Sequence, residues 1–340
     1  MLAVTPAGLY CARGGFHIDP WQPVERALIT HAHADHARPG SVSYLCAAPC
    51  APLLAARVGA GAEVRSLAYG ETLTLDGPGP GSGGVGGGIA VSFHPSGHIL
   101  GAAQIRLQAE GAVWVVSGDY KRAPDPTCPP FEPLRCDVFV SEASYALPIY
   151  RWDEPAAVID EIVAWWDAAA AAARAAVLFC YALGKGQRIL AELALRRPER
   201  TVFVHGALAS WLALYRAAGV RLPPTELVVE TQKGRAFAGE LVLAPPSARG
   251  SVWMRRFGEH ETGFASGWMR VRGTRRRQGY DRGFALSDHA DWPSLLQTVR
   301  ETGARRVLTM HGFAEPLARH LREQGVEASA LSTPALTDED

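Results

Sequence analysis

The sequence predicts a mixed α/β protein in two parts. Up to about residue 145, short apolar runs alternate with turn residues, which is typical of strands joined by loops. From about residue 150, apolar runs of strand length alternate with Ala- and Leu-rich segments of helix length, which indicates a parallel sheet flanked by helices. A chain of 340 residues is long enough for two domains with a sizeable core.

In the first part, four apolar runs are predicted to be strands: Ala27–Thr30, Ala90–Phe93, Val113–Val116 and Val138–Val140. The segment Gly77–Gly88 is almost entirely Gly, Pro and Ser, and we predict a surface loop because it has nothing to bury. A phosphate-binding loop fits it less well, since no Lys-Ser/Thr pair follows and no helix opens after it.

The second part is predicted to contain the helices Pro155–Ala173, Gln187–Arg196 and Ser210–Ala218, and the strands Ala175–Cys180, Val202–Val204 and Glu240–Ala244. Arginines then cluster at positions 255, 256, 270, 272, 275, 276, 277 and 282. In a chain with 34 basic and 34 acidic residues, this local excess indicates contacts with phosphates, and a solvated face is the alternative. The final predicted elements are the strand Arg306–Met310 and the helix Ala314–Gln324.

Cysteine usage and the N-terminal segment predict the compartment. The six cysteines, at positions 11, 46, 50, 128, 136 and 180, include no Cys-x-x-Cys pair. No N-terminal segment has the pattern of a signal peptide or a spanning helix. We therefore expect free thiols in a cytoplasmic protein that does not contact a membrane.

The segment Thr30–His36 contains three imidazoles and one carboxylate directly after an apolar run. His and Asp together suit zinc or a similar cation better than calcium or magnesium, which prefer oxygen ligands. Side chains on a tight turn point in different directions, so one short segment can supply ligands to two neighbouring metals. A polar surface loop with coincidental histidines is the alternative.

Four later residues follow apolar runs in the same way, and strand ends are where such folds present functional loops: His98, Asp119, Glu142 and His311. We assign His31, His33 and His98 to one metal. The second metal takes Asp35, His36 and His311, and Asp119 is shared between the two. Two such ions lower the pKa of bound water toward about 7 and stabilise both oxygens of a phosphoryl displacement. Zinc is predicted, with manganese as the alternative.

These motifs resemble those of the metallo-β-lactamase-fold nucleases, whose signature is matched by His31-x-His33-x-Asp35-His36. The sequence is most similar to the β-CASP branch, and within it to the bacterial ligase-associated DNA exonucleases. The further matching positions are Asp19, His98, Asp119, Glu142, His289 and His311. The resemblance implies an αββα sandwich formed by residues 1–149 and 271–340. An α/β β-CASP cap domain, residues 150–270, would interrupt it.

The resemblance also implies roles for individual residues. Asp19 would support the metal loop, and the catalytic residues would be Asp35, Glu142 and His289. Glu142 would orient His289, the general acid that protonates the departing oxygen. Ser287 and Lys185 would contact phosphates. The structural alternatives are a helix cap for His289 and a solvated turn residue for Lys185.

The function that follows is that of a hydrolase: a DNA exonuclease in DNA repair, associated with a DNA ligase and a helicase. An RNA-processing nuclease is the nearest alternative, because a histidine at the position of His311 is typical of RNA-processing members of the branch. A small-molecule metallo-hydrolase would need neither Glu142 nor the arginines. A redox di-iron protein would carry an acid at His33, and a non-catalytic scaffold would lack some ligands. Trp253, Trp268, Tyr280 and Trp292 are predicted mainly as core residues, with base stacking as the alternative.

Overall fold

The computed structural model describes residues 1–77, 87–229, 237–273, 277 and 279–332. Within this part the chain forms two compact units. The first comprises Met1–Pro124, Cys128–Pro148 and the residues from His289 onward, and the second comprises Asp125–Thr127 and Ile149–Asp288. Arg275, Arg276 and most of the predicted Gly77–Gly88 loop lie outside the described residues.

The first unit contains two sheets, with strands numbered in chain order. One has the order β1-β2-β3-β4-β5-β6, and the other has the order β19-β18-β11-β10-β9-β8-β7. The strands of the first sheet are β1 Leu2–Thr5, β2 Gly8–Cys11, β3 Phe16–Ile18, β4 Arg26–Leu28, β5 Ser43–Ala47 and β6 Glu63–Leu67. Those of the second are β7 Thr72–Leu75, β8 Ile89–Pro95, β9 Ala103–Ala109, β10 Ala112–Val116, β11 Val138–Glu142, β18 Arg306–Met310 and β19 Glu327–Ala330.

The helices of the first unit are α1 Ala51–Val58, α5 Trp292–Thr302 and α6 Ala314–Glu323, with a short 3-10 helix at Ala48–Cys50. The side chain of Asp291 caps α5 by accepting a hydrogen bond from Ser294 N, and the helix ends at Gly303, whose φ of 62° is the left-handed conformation that favours glycine. Leu295 of α5 and Leu317 of α6 pack with Phe139 of β11 in one apolar core. β11 lies inside the sheet and is buried along its whole length, which is why it begins with the continuous apolar run Val138–Val140.

The second unit is built on one six-stranded sheet in which every strand pair is parallel. Its order is β14-β13-β15-β12-β16-β17. The strands are β12 Ala175–Phe179, β13 Val202–Val204, β14 Thr225–Leu227, β15 Leu241–Ala244, β16 His260–Ala265 and β17 Arg282–Phe284. The helices are α2 Pro155–Ala171, α3 Lys185–Arg196 and α4 Gly206–Ala217, and further 3-10 helices lie at Pro246–Ala248, Val252–Arg256 and Gly267–Arg270. Together the two units make a mixed α/β protein, as the sequence predicts.

Two helices of the second unit begin earlier than predicted. The predicted helix Gln187–Arg196 begins at Lys185, because the side chain of Gln187 accepts a hydrogen bond from Gly184 N and so closes the first turn. The predicted helix Ser210–Ala218 begins at Gly206, because His205 Nδ1 accepts a hydrogen bond from Ala207 N. Histidine and glycine are weaker sequence signals for a cap than Ser or Asp, so the starts were placed too late.

The boundary of the second unit also differs from the predicted cap domain, which ended at residue 270. The unit continues to Asp288, because β17 pairs with β16 and Arg188 of α3 donates a hydrogen bond to the carbonyl of Ser287. The functions assigned to the two domains stay predictions. Within the described residues, no helix is both long and apolar enough to cross a membrane.

Candidate metal centre

The second sheet of the first unit brings three predicted site residues to one edge. β10, β11 and β18 are parallel neighbours, so their carboxyl ends meet there. Asp119 follows β10, Glu142 is the last residue of β11, and His311 follows β18. β8 runs in the same direction as β10, because both are antiparallel to β9, and it therefore delivers His98 to the same edge.

The metal loop, residues Thr30–His36, follows β4 of the other sheet in this unit. A turn forms after His33, whose carbonyl accepts hydrogen bonds from His36 N at 3.2 Å and Ala37 N at 2.8 Å. Asp19 holds the loop in place. Its Oδ1 accepts from Thr30 N at 2.8 Å, and its Oδ2 lies 2.5 Å from Thr30 Oγ1 and 2.8 Å from His36 Nδ1. Asp19 thus occupies a position suited to the supporting role predicted for it.

Four predicted ligands form a close group: His31, His33, His98 and Asp119. His33 Nδ1 lies 3.0 Å from His31 Nε2 and 3.2 Å from His98 Nε2. Asp119 Oδ2 lies 3.5 Å from His31 Nε2 and 3.7 Å from His98 Nε2. Ligand atoms about 2.0–2.1 Å from a tetrahedral zinc ion are separated by about 3.4 Å. The observed separations fit a cation of this kind.

The protonation chemistry of this group also fits a cation. His33 Nδ1 faces two imidazole nitrogens, and one proton on it can satisfy only one of them. In the neutral rings, the three nitrogens can instead direct their lone pairs at a common positive ion. The four residues can hold a metal ion.

The predicted second ligand set lies beside the first but is more open. His36 Nε2 is 3.4 Å from Asp119 Oδ2 and 3.6 Å from Asp35 Oδ2. The ring of His311 lies 5.7 Å from that of His36, centroid to centroid. His311 Nδ1 is a buried atom with no hydrogen-bond partner among the described residues. His311 also has a φ of 64°, a strained conformation for a side chain of this size.

The electrostatics keep His31, His311 and Asp119 in their ligand forms at neutral pH. His36 differs: burial would lower its pKa, but Asp119 and Asp35 outweigh burial and hold the pKa well above its usual value. Burial lowers the pKa of His31 well below its usual value, and it lowers the pKa of His311 to about 4, with neighbouring histidine charges acting in the same direction. Burial would raise the pKa of Asp119, but His36 and His289 outweigh it and hold the pKa well below its usual value. Neutral imidazoles and an ionised carboxylate are the forms that bind metals.

A carboxylate–histidine pair adjoins the metal group. His289 Nδ1 lies 2.9 Å from Glu142 Oε2, and Glu142 Oε1 accepts a hydrogen bond from Tyr120 N at 2.7 Å. The ring of His289 lies 4.7 Å from that of His98. Burial raises the pKa of Glu142, opposed by His289. With Nδ1 directed at Glu142, a proton transferred by His289 would come from Nε2.

The backbone of Tyr120 supports the Glu142–His289 pair, and the sequence analysis did not predict this role. Its N–H binds Glu142, and its carbonyl accepts a hydrogen bond from Ala290 N at 2.7 Å. The residue thus anchors both sides of the pair from a position next to Asp119. A backbone contact of this kind has no signal in the sequence. Thr30 was likewise not predicted as a site residue. Its hydroxyl donates a hydrogen bond to Asp19 and lies 3.1 Å from His31 Nδ1.

The two predicted phosphate contacts belong to the second unit. Lys185 is buried there, and its ammonium donates hydrogen bonds to Asp288 Oδ2 at 2.6 Å and to the carbonyl of Leu286 at 3.1 Å. Its burial does not fit the alternative of a solvated turn residue, and the phosphate contact stays a prediction. Ser287 is buried next to Asp288, and its phosphate contact stays a prediction.

Comparison with known proteins adds one relative. No protein-family model matches the chain. The chain is 33% identical over 328 residues to a protein of Opitutus terrae named probable DNA ligase. The alignment covers 95% of this chain but only 30% of that protein, so the chain spans less than a third of the relative's length.

Proposed function

We propose that this chain is a metal-dependent nuclease that hydrolyses phosphodiester bonds of DNA, with two divalent ions held by the predicted ligands. The supporting observation is that strand ends from both sheets of the first unit bring seven His and Asp side chains together next to the Glu142–His289 pair. Four of the seven, His31, His36, His98 and Asp119, are buried, and burying these groups in one place would be costly without a cation to bind.

The fold we propose for the first unit is the metallo-β-lactamase sandwich, with the second unit as its β-CASP cap. Two sheets with helices on the second, and a metal loop after β4, are compatible with this proposal. The sequence motifs around His31, Glu142 and His289 support it further.

When bound, divalent ions in such a centre supply an activated water and neutralise charge on the phosphate. His31, His33 and His98 would hold one ion, and Asp35, His36 and His311 the other. Asp119 would contact both, because its Oδ2 lies within 3.7 Å of His31, His36 and His98. Zinc suits this donor set, and manganese is the alternative.

The departing oxygen needs a proton, and His289 is the proposed donor. The buried carboxylate of Glu142 is fixed through one oxygen by Tyr120 N and directs the other at His289 Nδ1. A fixed carboxylate orients the ring and favours its protonated form. General acid catalysis by such a group contributes typically 10²–10⁴-fold to a rate.

DNA is the proposed substrate, and digestion from an end in DNA repair is the proposed mode. Similarity to part of a protein named probable DNA ligase supports a substrate of this kind and a functional association with a DNA ligase. The association with a helicase rests on the resemblance alone. Cleavage of RNA is the second candidate, favoured by the histidine at position 311.

Digestion of end-labelled strands tests the proposal. Single-stranded DNA, duplex DNA and RNA would be incubated with the protein in zinc, in manganese and in a chelator. We expect metal-dependent release of nucleotides from DNA, and Asp119→Asn should abolish it. His320→Ala is a matched control, because His320 lies on α6 against Trp292. The proposal fails if the metal-loaded protein leaves all three substrates intact.

A further inference from the structure

The second unit carries a cationic loop that the proposed chemistry does not use. The basic loop, residues Pro245–Phe257, follows β15 at the carboxyl edge of the parallel sheet. It contains three arginines and no acidic residue. Folds with parallel sheets bind ligands at the carboxyl ends of their strands. His205, which follows the neighbouring strand β13, lies at the same edge.

Trp253 provides an aromatic surface within the basic loop. Its ring is half-buried and packs edge-on against Phe257 at 4.7 Å and His205 at 4.8 Å. The indole N–H of Trp253 makes no hydrogen bond to the described residues, whereas Trp165 and Trp166 of the same unit donate theirs at 2.8 Å and 3.0 Å. Partly exposed tryptophans with an unused donor are typical of binding surfaces.

Two arginines of the basic loop have no acidic partner in the part of the chain that the structure describes. The guanidinium of Arg256 lies 5.7 Å from the ring centroid of Trp253, and Arg255 is exposed. Neither forms an ion pair with an acid among the described residues. In contrast, two other arginines of the same unit form ion pairs: Arg174 with Glu261, and Arg270 with Asp153. Adjacent uncompensated cations repel each other, so this surface favours an anionic ligand.

His205 adds a neutral donor. Its Nδ1 accepts a hydrogen bond from Ala207 N at 3.0 Å, so in the neutral ring the proton is on Nε2. Burial and the charge of Arg256 lower the pKa of His205, which keeps the ring neutral at neutral pH. The patch therefore combines one aromatic face, two cations and two N–H donors.

We propose that Trp253, His205, Arg255 and Arg256 bind single-stranded DNA, with a base stacked on Trp253 and the adjoining phosphate on the arginines. This inference rests on the proposed function and gives the second unit a role in holding the strand. An unpaired base offers a free face to a tryptophan, which a base inside a duplex does not. Val252, 69% exposed, adds only an isolated apolar side chain, too little surface for a protein partner.

Fluorescence anisotropy with a labelled oligothymidylate tests the patch. The full chain is used in a chelator, so that binding is measured without turnover. Trp253→Leu should weaken binding roughly 5- to 150-fold, as expected for loss of one base stack. The double variant Arg255→Ser/Arg256→Ser should reduce the slope of log K against log[salt] by about 0.7, the value for one phosphate contact to a single strand. Arg319→Ser, an exposed site on α6 in the first unit, is the matched control.

If Trp253→Leu fails to fold, the arginine double variant tests the patch. Trp253→Phe is the conservative variant and should retain most of the stacking and most of the affinity. The patch is refuted if the arginine double variant, and Trp253→Leu where it folds, bind within about twofold of the wild type. Hydrolysis of bis(p-nitrophenyl) phosphate by the zinc-loaded wild type is measured in parallel. Failure there would overturn the proposed nuclease and leave the binding comparison as it stands.

Discussion

The Glu142–His289 pair predicts how strongly activity should depend on the leaving group. Glu142 is buried, with one carboxylate oxygen 2.7 Å from Tyr120 N and the other 2.9 Å from His289 Nδ1. His289→Ala should remove the proton donor while leaving His31, His33, His98 and Asp119 in place. The variant should therefore still bind metal and activate water, but it should be unable to assist departure of a basic oxygen.

The magnitude follows from general acid catalysis. A loss of 10²–10⁴-fold corresponds to about 3–5 kcal/mol of transition-state stabilisation. A DNA strand leaves as an alkoxide and should show this full loss. A p-nitrophenolate departs without protonation, so the loss on bis(p-nitrophenyl) phosphate should stay below about tenfold.

The assay compares kcat/KM for a short labelled oligonucleotide and for bis(p-nitrophenyl) phosphate, in the wild type and in His289→Ala. Zinc content of each protein is measured alongside, and His320→Ala serves as the control. In Glu142→Gln, kcat/KM should also fall more for the oligonucleotide than for bis(p-nitrophenyl) phosphate, but the difference should be smaller than in His289→Ala. The amide still contacts the ring of His289 but no longer favours its protonation. Equal losses on the two substrates would refute the role of His289 as a general acid.

Three further predictions concern other parts of the molecule. Asp19→Asn should weaken zinc binding about 10- to 100-fold, since Asp19 orients His36 and Thr30; a competition titration with a chromogenic chelator measures this, and unchanged affinity would contradict it. Gly118→Ala should lower both zinc affinity and the thermal midpoint of unfolding, because Gly118 has a φ of 54° and a Cβ there would lie 2.6 Å from Thr30 Cβ. Gly111→Ala is the control and should retain zinc binding, because Gly111 has open space around it. The lowered pKa of His205 means that the folded state binds a proton less readily than the unfolded chain. The neutral ring of His205 therefore contributes stability above about pH 6.5, and this contribution is lost as the pH falls below that value. Between about pH 8 and about pH 5, the urea midpoint should fall less in His205→Asn than in the wild type, because asparagine caps α4 without titrating.

The sequence was most informative where one local pattern determines both structure and chemistry. Apolar runs such as Val138–Val140 and Arg306–Met310 predicted the buried parallel strands, and polar residues directly after them predicted the ligand positions. Because β10, β11 and β18 proved to be parallel neighbours, the side chains that follow them were brought together.

The sequence was less informative where contacts join distant segments. The strands β1, β2 and β3 are only three or four residues long, and no longer apolar run marked them. The ion pair of Lys185 with Asp288 was not predicted, because the two residues are far apart in the chain. Burial of that ion pair depends on the packing of α3, which local sequence patterns do not specify.

An anomalous diffraction experiment on crystals of the zinc-loaded protein tests the central claim most directly. We predict two zinc peaks. One should lie about 2.0–2.2 Å from His31 Nε2, His33 Nδ1, His98 Nε2 and Asp119, and the other should lie at similar distances from Asp35, His36, His311 and the same Asp119. The absence of any peak among these residues, or zinc bound only elsewhere on the chain, would contradict the account.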